Sequence, residues 1–347
     1  MNTVATTHTP TSLSRFAWLV KREYWEHRGG FFWTPFIIAL VFLAITLMVM
    51  ITADVTAHQH GVNLSGLNLG QLAEKMTAEN TAKFAAGVDI GLLGMSAPIG
   101  IALTFVVFFY LVGALYDDRR DRSVLFWKSL PLSDLDTVLS KVVAAVLVAP
   151  LLALAAIMLL NLAFLILASL YALLHGVNPL PLLWAPDHLI ELWFRLLVLI
   201  PINALWALPT IGWLLLCSSF ARSKPFLWAV LLPLLVGVVV SWVNLMQQLA
   251  LPSTWYWKNI AGRLLLSVIP AGWVGSGARS ASTFGISSVG DNINIGLGKF
   301  DFINSILSMD GLLGVLLSPE LWIGAVAGAA MIAAAIYYRE KRTEAYS

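Results

Sequence analysis

Asp117, Asp118 and Asp121 interleave with Arg119, Arg120 and Arg122 in the densest charged stretch of this chain. Three carboxylates at that spacing are what a divalent-cation site would use. The arginines argue against one, because each carboxylate has a guanidinium within a helical turn, and a salt-bridged surface is the expectation. His58 and His60 supply two imidazoles. A zinc site needs at least three protein ligands, and no clear third accompanies them, so a solvated loop is expected. Gly298-Lys299 runs on into Phe300 and lacks the other spacing of a G-x-x-x-x-G-K-[ST] phosphate loop. The single Cys217 excludes an intrachain disulfide and a Cys-x-x-Cys pattern. No Ser, His or Cys constellation supports nucleophilic catalysis, so an enzyme is not expected.

The remaining polar residues of note sit in apolar surroundings. Glu191 and Arg195 are four apart in the order that favours a helical ion pair. Asn161, Asn203 and Asn244 lie inside apolar runs, where an amide more often bonds a neighbouring helix than a substrate. Ionisable groups are otherwise scarce in those runs. Ion- and proton-coupled carriers place such groups near the membrane midplane, so the scarcity weighs against that class.

These residues must be positioned by membrane helices. Hydrophobic residues make up 59% of the 347 and charged residues 12%, against about 25% charged in soluble domains; mean hydropathy is +0.82. About 20 apolar residues cross a bilayer as a helix. Six windows qualify: 31–51, 95–116, one within 142–174, one within 189–220, 226–249 and 321–338. The third and fourth are too short for two crossings and read as single helices, the fourth kinked at Pro201 and Pro209. The fold class is therefore all-α polytopic membrane protein, with a six-span domain over 31–338.

Lysine and arginine set the orientation. They concentrate in residues 1–30, in the 117–141 connection, at Arg222 and Lys224, and in the 339–347 tail. All four segments fall on one side of a six-span chain, so both termini are expected in the cytoplasm. The N-terminal segment mixes Phe16, Trp18, Leu19, Tyr24 and Trp25 with Lys21, Arg22 and Arg28 and reads as an interfacial helix on the inner leaflet. The outer connections are 52–94, with a helical stretch over 67–84, and the large 251–319 between the fifth and sixth spans. The second holds a hairpin signal over 284–297 and short apolar pieces at 264–269 and 312–317, re-entrant or lying at the outer surface. On the cytoplasmic side, Leu125, Phe126, Trp127 and Leu130 give the 117–141 connection an apolar centre, with Arg119, Arg122 and Lys128 as a charged rim. Protein interfaces share that arrangement.

The order Asp118, Arg119, Arg122, Leu125, Lys128-Ser129-Leu130-Pro131-Leu132-Ser133 and Leu139-Ser140-Lys141 resembles the first cytoplasmic loop of type-2 ABC transporter permeases. Lys21-Arg22-Glu23 ahead of the first span and the large outer connection before the sixth resemble them too. The family commonly has Glu-Arg and a Gly where this chain has Asp121-Arg122-Ser123. The resemblance implies a transport subunit of the bacterial inner membrane, most often an exporter, that pairs with a second permease copy and receives a separate ABC ATPase subunit. That partner would bind ATP and Mg, with no cofactor in this chain and no nucleic acid. A short coupling helix in 117–141 would dock on it. The resemblance also implies that the second and fifth spans line a cavity at the permease dimer interface. Here they supply Phe105, Phe108, Phe109, Trp242, Asn244 and Met246, an aromatic wall with one amide that suits an amphipathic or lipid-like cargo. Two readings outside the family stay open: an ion- or proton-coupled secondary carrier, and a membrane anchor or assembly scaffold.

Overall fold

The computed structural model describes residues 12–59, 78–121, 132–176, 178–184, 186–247, 253–273 and 308–344, and all regular structure among them is helical. Six helical stretches are long and apolar enough to cross a membrane: Gly29–Thr56, Gly91–Arg120, Asp134–Leu174, Leu189–Phe220, Pro225–Val243 and Pro319–Lys341. Each falls on an expected span. The third and fourth windows are each one helical run, as their lengths required.

Capping and proline chemistry set the helix limits. Ser133 opens the third span, its Oγ accepting the Asp136 N–H at 3.0 Å. Asp134 and Asp136 occupy the first turn, where the helix dipole favours carboxylates. Farther along, Ala144–Val148 widens to a π turn just before Pro150. Proline lacks an N–H and crowds the carbonyl four residues back, and a wider turn relieves both problems. The fourth helix, Pro186–Phe220, runs through Pro201 and Pro209. It joins the fifth through a turn at 221–224 in which Lys224 adopts a φ of 47°, disfavoured for a side chain other than glycine. Pro225 then begins the fifth helix, a position where its fixed φ is already helical.

Burial is uneven. The fourth span is half covered by the rest of the chain, the first only 6% and the fifth 17%. Leu111, Val138, Leu214, Leu215, Cys217 and Ala335 join the second, third, fourth and sixth spans in one cluster. The fourth and sixth approach closely: a Cβ added to Gly328 would stand 2.3 Å from the Leu208 carbonyl carbon.

An N-terminal helix, Ser12–Glu26, precedes the first span and buries Leu19 and Glu23. It packs against the start of the third span. Its ladder breaks at His27, whose carbonyl receives the N–H groups of both Gly30 and Phe31 at 3.0 Å. A π turn over Gly29–Trp33 follows.

At the end of the bundle away from the termini, Ser253–Tyr256, a π turn Trp257–Ala261 and Gly262–Leu266 form one helical segment. It lies against the interior of two spans. Tyr256 donates to the Pro233 carbonyl at 2.8 Å. Thr210 donates to the Arg263 carbonyl at 2.8 Å and accepts the Ser267 N–H at 3.1 Å. The second short apolar piece is a helix, Met309–Leu316. Of the helical stretch expected over 67–84, residues from Ala78 onward are helical; the rest, and the hairpin expected over 284–297, lie outside the described residues.

Candidate functional site

The 117–141 connection enters and leaves through residues the structure describes. Arg122, Leu125, Phe126, Trp127, Lys128 and Leu130, the centre and most of the rim of the expected docking surface, lie outside the described residues. Arg119 is described, and it is half-buried. Its guanidinium donates to the Ser218 carbonyl and, at 3.1 Å, to the Ala221 carbonyl. It thereby caps the C-terminus of the fourth span, where a cation also complements the helix dipole. Ser218 Oγ accepts the N–H groups of Leu115 at 3.0 Å and Tyr116 at 2.9 Å. The second span is thus locked onto the fourth just before the loop begins. Among the described residues of the connection, Arg120 faces outward, paired with Asp117 at 3.5 Å and Asp121 at 3.1 Å.

Behind the loop lies a buried ion network that sequence reading missed. Glu23 of the N-terminal helix is fully buried, and Lys141 of the third span is 2% exposed. Lys141 Nζ stands 3.2 Å from Glu23 Oε1 and 3.5 Å from Asp118 Oδ2. Asp118 also faces Arg339 of the sixth span at 3.6 Å, and Arg339 meets Asp134 at 2.9 Å. Arg22 pairs with Glu23, and the Tyr110 hydroxyl donates to Glu23 at 2.9 Å. Three cations, Arg22, Lys141 and Arg339, alternate with three carboxylates, Glu23, Asp118 and Asp134. Burial pushes the Glu23 carboxyl up, but Lys141, Arg22 and the Tyr110 hydroxyl together hold it below its ordinary value. The sequence signal was faint. Lys21-Arg22-Glu23 and Lys141 are separated by more than a hundred residues, and nothing local marks Glu23 as buried.

The three aspartates therefore do pair with cations, but with Lys141 and Arg339 as well as the adjacent Arg120. Glu23, Glu26 and His27 bring potential metal-ligating atoms within 4.8 Å of one another. Arg22 and Lys141 already occupy the cation positions around Glu23, so the cluster is an ion-pair node. His60 and the His58 side chain lie outside the described residues. Glu191 and Arg195 form the expected pair. Asn161 differs from expectation: it is fully buried, yet neither amide atom has a hydrogen-bond partner among the described residues.

The second and fifth spans meet through aromatics. Phe109 stacks on Phe226 with ring centroids 5.8 Å apart, and Phe108 meets the same ring edge-on at 6.3 Å. Phe108 packs against the core, whereas Phe105 and Phe109 are more than half exposed on the outer face of the second span. Trp242 is 64% exposed on the fifth. The side chains of Asn244 and Met246 lie outside the described residues. Phe226 is the residue that brings this wall together, and its position at the start of an apolar run did not distinguish it. Alongside, Leu227, Trp228, Leu231 and Leu235 line an open groove of about 340 Å³ on the fifth span.

Comparison with protein-family models, with characterised proteins and with solved structures finds no match to this chain.

Proposed function

We propose that this chain is the membrane-spanning subunit of an ATP-driven type-2 ABC transporter, an exporter of the bacterial cytoplasmic membrane with both termini in the cytoplasm. A separate ATPase subunit, carrying ATP and Mg, docks on the loop between the second and third spans. The observation that carries this reading is the rooting of that loop. One strand of it leaves from Asp118 and the other returns through Asp134 to Lys141, and those groups belong to one buried network with Glu23 and Arg339. A push on the loop therefore reaches the N-terminal helix and the second, third and sixth spans together. A loop that only linked two spans would gain nothing from such costly burial of charge.

The fifth span and the outer face of the second are open to a second copy of the chain. Phe105, Phe109 and Trp242 are each more than half exposed there, and an amphipathic or lipid-like cargo suits that aromatic surface. The test is Phe126→Ala with Trp127→Ala, expected to leave membrane insertion intact and to reduce recovery of the ATPase on purification, since interface aromatics are each worth about 2 kcal/mol or more. Undiminished recovery would remove the docking role. Cargo movement by the purified chain without any ATPase would instead establish a secondary carrier.

A further inference from the structure

The basic residues of the N-terminal helix fall into two groups. Arg22 turns inward, onto Glu23 and, at 3.6 Å, Glu26. Lys21 and Arg28 are exposed, and among the described residues no carboxylate pairs with either.

Helical spacing orders the outer face. Trp18 and Trp25 are seven residues apart, which brings them onto one line two turns apart. They are 65% and 54% exposed. Lys21 forms one flank, with the exposed Arg28 two residues past the end of the helix, while the exposed Arg15 stands on the other. Lys21 Nζ lies 4.6 Å from the Trp18 ring centroid. Indoles in the centre with cations on both sides are the arrangement of a helix seated at a bilayer surface. The level fits as well. Arg28 immediately precedes the first span at Gly29, and Trp33 at the base of that span is 54% exposed, where an interfacial aromatic belongs.

We propose that this face is a binding site for anionic phospholipid headgroups, with Lys21, Arg28 and Arg15 on the phosphates and Trp18 and Trp25 entering the acyl boundary. The proposal rests on the inner-leaflet placement of this helix. Its charge commits it to anionic lipid: the inward cation is neutralised by carboxylates of the chain, whereas Lys21 and Arg28 meet no carboxylate among the described residues. Glu23, on the opposite face of the same helix, grips Lys141 at 3.2 Å. Headgroup binding therefore bears on the element that anchors the ATPase loop.

The test uses the full chain with Cys217→Ser and Ala17→Cys, an exposed position on this face, carrying an environment-sensitive fluorophore. It is reconstituted in nanodiscs of phosphatidylcholine alone or mixed with phosphatidylglycerol. The expected result is a blue-shifted emission, shielded from the neutral quencher acrylamide, in the mixed discs. That gain is lost at high salt, which screens surface charge, and lost in Lys21→Gln with Arg28→Gln. Equal shielding in both discs would overturn the headgroup site while leaving an interfacial helix. Solvent-like emission in both would overturn the interfacial placement itself and assign the face to a soluble partner.

Discussion

Lys141 and Arg263 are two cations held at opposite ends of the bundle by opposite means. At the end that carries the termini, Lys141 is 2% exposed and lies between Glu23 and Asp118. At the far end, Arg263 lies face-on to Trp206, 3.6 Å from the ring centroid, with one guanidinium nitrogen 3.4 Å from the Glu320 carbonyl. The Glu320 carboxylate offsets part of the cost of burying Arg263, but among the described residues no carboxylate forms a salt bridge with it. The first arrangement depends on every member: residues from the N-terminal helix and three spans complete one another's charge. The second depends on a π face and close packing, which survive the loss of charge. The terminal end is thus tied together by charge, and the far end is held by shape.

The largest effect follows from the network. Lys141→Met removes the cation that Glu23 and Asp118 share, leaving Glu23 with Arg22 and Asp118 with Arg339, and breaking a buried pair costs about 3–5 kcal/mol. Thermal unfolding of the purified protein in detergent should show a large loss. Adding Glu23→Gln to Lys141→Met should restore part of it, because the two sites share one interaction. Acid should do the same damage. The Glu23 carboxyl sits below its ordinary value of 4.5, so its stabilisation is present above that value and is lost as pH falls through the lower folded-state value.

The second effect is smaller by design. Arg263→Met removes a cation–π contact worth about 0.5–2 kcal/mol but keeps an unbranched side chain on Trp206. Equal losses for Lys141→Met and Arg263→Met would erase the distinction between the two ends. A loss at Arg263 larger than at Lys141 would reverse it.

How much of this was legible in the sequence follows from the range of each signal. The six spans were, because a helix that crosses a membrane writes its length and apolarity into one continuous window. The helical Ser12–Glu26 segment was also legible, from aromatics and cations mixed over a few turns. The Glu191–Arg195 pair needed only a four-residue spacing. The ion network was not legible, because its members come from four segments and burial of Glu23 depends on how the N-terminal helix meets the second and third spans. Arg119 shows the same limit. By sequence it belongs to the charged rim of the loop, whereas the tertiary fold directs it to the carbonyls of Ser218 and Ala221. Phe226 was missed for the same reason: its stacking on Phe109 is a contact between spans more than a hundred residues apart.

The smallest effect concerns a charged contact at the far end. His175, just past the third span, places Nε2 3.2 Å from Asp54 Oδ1 at the end of the first span and donates from Nδ1 to the Tyr171 carbonyl at 2.8 Å. The hydrogen bond to Tyr171, then that to Asp54, raises the imidazole pKa above its ordinary 6.5. A raised histidine pKa stabilises the fold fully below the unfolded value and ceases to do so as pH rises through the folded value. The difference in melting temperature between wild type and His175→Gln should therefore be greatest in mildly acidic buffer, below about pH 6.5, and should vanish in alkaline buffer. It should be smaller than the loss in either cation variant, since Asp54 is 37% exposed and solvent screens the pair. A difference that stays constant across this range would mean that packing on Tyr171, not charge, holds the first and third spans together here. The far end would then be held by shape alone.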